Sequence, residues 1–283
     1  MKPLLGKTRG RIWELDALRG IAVIAMLFDH FTFDLAELRY YFADWYAAGG
    51  FMRALEQFGT AFQNSALRFW GHYIFVAVFL LLVGISCTFS RSNVVRALQV
   101  LCCGLAVTVV TRFLVTIGFL DVPIVWGILQ LIGFGILLYA AVAAVWDNRY
   151  FMLASGAALI LAGILIRWYD VPGAQAIPDG LTRWEEIVWF LKNDAADVLW
   201  GLKYYGADHF GILPCAGVVL VGGYIGKTFY PERRSLLPKL DGGWNRPFRW
   251  VGRHASVFYL AHQPITLGLV LLIGLASGLT LAL

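Results

Sequence analysis

Stretches of about twenty apolar residues recur along the chain with short polar breaks between them, at 16–35, 70–89, 97–118, 123–146, 151–168, 210–229 and 255–281. Each is long enough to cross the roughly 30 Å hydrocarbon core of a bilayer as one helix. A backbone inside that core must satisfy its own hydrogen bonds, which a helix does within a single segment. The expected fold is therefore all-α: a polytopic integral membrane helical bundle of about seven spans, with 45–64 and 184–202 as interfacial or re-entrant helices. Segment 184–202 mixes Trp and Leu with Glu, Lys and Asp, as a surface-lying amphipathic helix does. Only 14% of the 283 residues are charged, against roughly 25% in soluble domains. No linker rich in Ser, Pro or Gly divides the chain, so 1–283 reads as one transmembrane domain.

The net charge of +5 does not point to nucleic acid, because the basic residues flank the apolar runs. Lys2, Lys7, Arg9, Arg11, Arg91, Arg96, Arg149, Lys227, Arg233, Arg234, Lys239, Arg246, Arg249 and Arg253 fall on one side of the expected topology. Arg39, Arg53, Arg68, Arg167, Arg183, Lys192 and Lys203 fall on the other. That bias places the N-terminus in the cytoplasm and the C-terminus outside. Cys87, Cys102, Cys103 and Cys215 sit inside apolar runs without metal or disulfide spacing and read as small buried hydrophobes. The basic start and first apolar run lack an A-x-A-like site, so that run is expected to be a retained helix rather than a leader.

The first run, "LRGIAVIAMLFDHFTFDL", keeps Arg19, Asp29, His30 and Asp34. Arg19 and His30 are eleven residues apart. At about 100° per residue they share one helix face, separated by ~16 Å of rise. Asp34 lies one turn beyond His30 and Asp16 one turn before Arg19. Ionisable groups in hydrocarbon cost several kcal/mol unless they face partners or a wet cavity, so this stripe is expected to line an interior. An Arg near a helix end can also snorkel, and Asp34 can simply mark the exit to water. A His beside carboxylates is the arrangement of a general base.

Three further histidines bear on the site. His72 ("FWGHYIF") and His209 ("GADHFGILP", beside Asp208) fall at the outer ends of runs, near the level expected for His30. His254 lies among basic residues and reads as solvated. His262 in "YLAHQP" sits within the last run, either satisfying a carbonyl freed by Pro264 or lining a path. "WGILQLIGFG" suits close helix packing, although Trp126 and Gln130 can also face a path. No metal site is read from these residues.

"RIWELDALRGIAVIAMLFDHFTFDL" resembles the first helix of the DUF1624 proteins, relatives of the catalytic domain of heparan-alpha-glucosaminide N-acetyltransferase. The Arg-x10-His spacing of Arg19 and His30 also resembles the motif of the acyltransferase-3 family, both families being transmembrane acyltransferases. "FLLLVGISCTFS" at 79–90, "WGILQLIGFGILL" at 126–138, "DHFGILPCAGVVLVGGYIGKTFY" at 208–230 and "VGRHASVFYLAHQP" at 251–264 extend the resemblance in order along most of the chain. Two departures stand out: 36–69 contains no His, so the base is either His30 or His72, and Gln130 stands where many relatives have His.

The resemblance implies a single transmembrane acyltransferase domain of the bacterial inner membrane. It would move an acyl group, acetyl above all, from cytosolic acetyl-CoA or another acyl-CoA to an amine or hydroxyl of a sugar-like acceptor at the outer face. Membrane lipids would surround it, and a homodimer is compatible with the reading. Arg19 would hold coenzyme phosphates by charge-assisted hydrogen bonds, with Trp126, Gln130 and His262 along the coenzyme's path. His30 would deprotonate the acceptor or carry the acyl group itself, supported by Asp34, Asp29, His72 and Asp208. Two rival classes remain: a secondary transporter for an organic anion or sugar-like solute using the same Arg/His/Asp face, and a non-catalytic assembly protein.

Overall fold

The computed structural model describes residues 11–120, 122–167, 173, 182–206 and 208–282. Lys2, Lys7 and Arg9, and most of the 169–181 connection, lie outside the described residues. In chain order the helices are α1 (Trp13–Ala36), α2 (Leu38–Tyr41), α3 (Gly50–Gln63), α4 (Ala66–Cys87), α5 (Asn93–Thr116), α6 (Ile128–Val145), α7 (Arg149–Arg167), α8 (Arg183–Asn193), α9 (Ala195–Trp200), α10 (Ile212–Phe229), α11 (Arg246–Arg253) and α12 (Ala255–Ala276). Six of them, α4, α5, α6, α7, α10 and α12, are long and apolar enough to cross a membrane. The 24 residues of α1 give it the length as well, but Glu14, Asp16, Arg19, Asp29 and Asp34 set it apart. The chain is thus a polytopic helical bundle.

Segment 45–64 divides into a 3-10 turn, Trp45–Ala47, and α3. Segment 184–202 divides into α8 and α9 at Asp194. That break has a visible reason. Asp194 is 1% exposed and accepts from Lys203 Nζ at 2.6 Å, while Asp197 takes the same ammonium at 3.1 Å. These two carboxylates hold the Lys203 ammonium above its ordinary value. The start of α8 is a capping box: Thr182 Oγ1 accepts from Glu185 N, and Glu185 Oε2 accepts from Thr182 N at 2.9 Å. Thr182 N and, at 2.8 Å, Thr182 Oγ1 both donate to the Glu185 carboxylate, which favours its ionised form and holds Glu185 below its usual range. Beyond α9, Gly201 adopts φ 83°, the left-handed cap that lets Leu202 N reach Asp197 O at 2.7 Å.

Two compact units divide the chain. The first comprises 1–79 and 232–283, the second 80–231. In the first unit α1 packs on α3, α11 and α12. Where α1 meets α11, a Cβ on Gly20 would lie 1.9 Å from Phe248 O, and one on Gly252 1.8 Å from Asp16 O. The two backbones touch, which only residues without a side chain permit. Trp13 Nε1 donates to Leu237 O at 3.1 Å, and the Glu14 carboxylate accepts from Ser235 Oγ and Leu236 N. The far end is closed by a cluster of Leu35, Leu38, Phe42, Ala48, Met52, Val270 and Leu279.

In the second unit α10 is central, packed on α6 and α7. Its contacts are again between backbones: Cβ atoms on Gly84 and Gly222 would lie 1.9 Å from Val219 O and 2.2 Å from Leu81 O. Gly156 and Gly217 face each other's carbonyls in the same way. Half of the apolar stretch of α10 is buried, against 6% of that of α5.

Candidate active site

The ionisable residues of α1 lie in the first unit, and three other helices receive them. Near the start of α1, Asp16 is 7% exposed and is met by three guanidiniums. Arg19 Nη1 is 3.1 Å away, Arg253 Nε 3.4 Å and Arg11 Nη1 3.9 Å. The close α1–α11 crossing at Gly20 and Gly252 brings Arg253 there. Among these four side chains three positive charges meet one negative, a donor set suited to phosphate oxygens.

About three turns further on, α1 presents Asp29 and His30. Asp29 accepts from Arg68 of α4 through both carboxylate oxygens, Nε at 2.9 Å and Nη2 at 3.3 Å. His72 Nδ1, one turn beyond Arg68 on the same face, lies 3.5 Å from Asp29 Oδ2. Gln63, the last residue of α3, donates to Asp29 O and Thr32 Oγ1, each at 3.0 Å. Asp29 is thus bonded to Arg68, with His72 beside it. Asp34, fully buried, accepts from Gln263 Nε2 of α12 at 2.9 Å, and its Oδ2 has no partner among the described residues.

The His30 ring lies against the His262 ring of α12, with centroids 4.6 Å apart and planes tilted by 58°. His262 is 8% exposed. Its Nδ1 meets Tyr259 O at 2.5 Å, a carbonyl that can only accept, so Nδ1 carries the proton there. Its Nε2 is buried without a partner among the described residues. No described residue hydrogen-bonds the His30 ring either.

The remaining sequence candidates belong to the second unit. Gln130, 7% exposed, has its amide committed: Oε1 accepts from Gly127 N at 3.1 Å, and Nε2 donates to Gly104 O and Thr108 Oγ1 at 3.0 and 2.9 Å. It caps α6 and ties α6 to α5. Trp126 O accepts from Phe210 N at 3.2 Å, while its indole nitrogen is buried without a partner among the described residues. Asp208, at φ 51°, sets its carboxylate over the start of α6, 3.1 Å from where a Gly127 Cβ would stand. His209 Nε2 meets Val198 O at 2.9 Å. Among the described residues no group of His, Cys, Asp and Glu side chains is disposed to hold a metal.

The structure thus gathers Arg19 with Arg253, Asp29 with Arg68 and His72, Asp34 with Gln263, and His30 with His262. Arg68, Arg253 and Gln263 were not singled out from sequence. The i,i+4 spacing of Arg68 and His72 was the one available signal for the first of them. Set beside known proteins, the chain has no match among curated proteins or solved structures. The model of the family described as "Heparan-alpha-glucosaminide N-acetyltransferase, catalytic" matches residues 11–61 and 46–264, which together cover most of the chain, including α1, α4 and the His262 region of α12. Family match and membrane helices agree: the chain belongs to the heparan-alpha-glucosaminide N-acetyltransferase catalytic family and is a multi-pass membrane transferase.

Proposed function

We propose that the protein is an acetyltransferase of the bacterial inner membrane with its N-terminus in the cytoplasm. Acetyl-CoA, or another acyl-CoA, is the donor, and the acceptor is an amine or hydroxyl of a sugar-like molecule at the outer face. The observation that carries this reading is the contrast within one cluster. Asp29 is spoken for by Arg68, Asp34 by Gln263 and His262 Nδ1 by Tyr259, whereas the His30 ring is committed to no described residue. An imidazole that no described residue hydrogen-bonds, held among side chains that are each engaged elsewhere, is what a base needs to reach a substrate proton.

In this reading Arg19, Arg253 and Arg11 hold the phosphates of the coenzyme near the start of α1. The extended thioester arm covers the ~16 Å of rise to His30. His30 takes the proton of the acceptor amine or hydroxyl as its nitrogen or oxygen bonds to the acyl carbon. The C–S bond then breaks and the thiolate departs. Fixed geometry supplies much of the acceleration, since holding donor and acceptor together removes the entropy cost of encounter. The same side chains leave a single transfer step and an acyl-His30 intermediate equally accessible.

A second placement of the base has its own observation: His72 Nδ1 stands 3.5 Å from the Asp29 carboxylate, the dyad by which a carboxylate fixes an imidazole tautomer. Free thiol release from acetyl-CoA, measured on protein in nanodiscs with a panel of amino sugars, separates the two. Acceptor-dependent release that falls by about 10²–10⁴ in H30A and by less than tenfold in H72A supports His30. The reverse order moves the base to His72. Absence of both release and acetyl-CoA binding in the wild type overturns the acetyltransferase reading in favour of solute transport.

A further inference from the structure

His262 has one ring nitrogen tied down and one left over. Its Nδ1–H donates to Tyr259 O, so the neutral ring has a lone pair on Nε2, and this atom is buried with no partner among the described residues. A buried acceptor without a donor costs stability, so it calls for a use other than packing. The bond to Tyr259 O needs only Nδ1: Asn at this position could make it without a second atom able to take up a proton near neutral pH. The His30 ring lies 4.6 Å away, centroid to centroid.

We propose that His262 is the second imidazole of a proton-sharing pair with His30: it takes on Nε2 the proton that His30 removes from the acceptor, and returns it for the departing thiolate. The proposal rests on His30 being the base. The step balances without a further reactant. The acceptor loses one proton as its bond to the acyl carbon forms, the C–S bond breaks with its electron pair on sulfur, and the proton passes from His30 through His262 to that sulfur. Both imidazoles end neutral, ready for another turnover. Two imidazoles at this separation repel when both are charged, so the pair holds one proton rather than two. Its titratable and charged surroundings are Asp29 and Asp34 on α1, Arg68 and His72 on α4, and Tyr259 on α12, whose ring packs on that of His262. Asp29 is neutralised by Arg68, and Asp34 lies one turn along α1 from His30, held by Gln263 from α12.

The test compares wild type, His262→Asn and His262→Gln in nanodiscs. Asn keeps a donor for Tyr259 O but no second nitrogen; Gln is the backup should Asn not fold. Two readouts are taken: kcat and KM for acetyl-CoA with an amino sugar across pH 5 to 9, and the NMR titration of isotope-labelled histidine rings, five in all, assigned by single substitutions. The expected result is a kcat lowered roughly 30-fold or more with KM for acetyl-CoA within threefold. The expected pH profile is altered, and the His30 titration midpoint moves by about half a pH unit or more. A His262→Asn protein with wild-type kcat, pH profile and His30 titration overturns the pair and leaves His262 as a partner of the Tyr259 carbonyl within α12. A His30 titration that moves in a protein whose wild type transfers no acyl group keeps the shared proton and overturns the enzymatic reading instead.

Discussion

Gln130 and Asp194 of the second unit and the Asp34–His262–Gln263 cluster of the first bury polar side chains to different ends. In the second, Gln130 spends both heteroatoms of its amide on Gly104, Thr108 and Gly127, and Asp194 is bridged to Lys203. In the first, Asp34, His262 and Gln263 each keep one buried atom without a partner. Complete satisfaction rigidifies a bundle, whereas a group left half-satisfied costs stability and is kept where a ligand or a moving proton completes it. Burial alone does not separate the cases, since Gln130 and His262 are 7% and 8% exposed. The unused valence does.

The comparison is broken most severely at its shared device, the glycine crossings. Gly252→Leu and Gly84→Leu both push a side chain into backbone, and each is expected to cost more than ~3 kcal/mol, read as loss of the monodisperse peak on size exclusion. Gly50, with open space around its Cβ position, tolerates Ala and serves as control. Next comes Arg68→Ala, which strips Asp29 of its ion pair. With both partners partly exposed, a loss of about 1–3 kcal/mol is expected, measured as a fall in Tm that Asp29→Asn partly reverses in the double variant.

A sharper contrast sets Gln130→Leu against Gln263→Leu. The first leaves Gly127 N without its acceptor and removes the amide's bonds to Gly104 O and Thr108 Oγ1; it should cost about 1–3 kcal/mol while leaving acyl transfer per folded molecule within twofold. The second should move transfer more than melting, because it releases Asp34 beside His30. If both change only Tm, the distinction between the two sites fails.

The smallest effect is expected at α8. Thr182→Ala removes a cap worth about 1 kcal/mol, visible as faster amide exchange confined to 183–193. Because Glu185 is held below its usual value of 4.5, the cap's contribution is present above that pH and fades as pH falls through the depressed folded value. Amide protection in α8 of the wild type should therefore drop on acidification below pH 4.5, and Thr182→Ala should flatten that drop.

The spans were legible because apolar length is a property of contiguous residues. The run at 16–35 became Trp13–Ala36 and that at 97–118 became Asn93–Thr116. Periodicity also placed Arg19 and His30 on one face of α1. What it could not supply was the identity of the neighbour. Asp29 and Asp34 looked like attendants of His30 because they are close in sequence, yet they are bonded to Arg68 and Gln263, 39 and 229 positions away. The His30–His262 contact spans a similar distance. A helix repeat says which residues share a side and nothing about which helix comes to meet them. The break at Asp194 was hidden for the same reason, since it is set by a lysine on the far side of the following helix.

The first unit is discontinuous in the chain, 1–79 joined by 232–283, and this gives its assembly a timetable. A ribosome adding about 5–20 residues per second needs on the order of ten seconds to make 80–231 before α11 and α12 exist. Throughout that interval Arg19, His30 and Asp34 sit in a nascent helix lacking Arg253, His262 and Gln263. Arg19 has Asp16 on its own helix and Asp29 soon gains Arg68, whereas His30 and Asp34 wait for α12. The polar face of α1 is thus a waiting load for the insertion machinery, and a ribosome stalled between α10 and α11 would leave it unshielded.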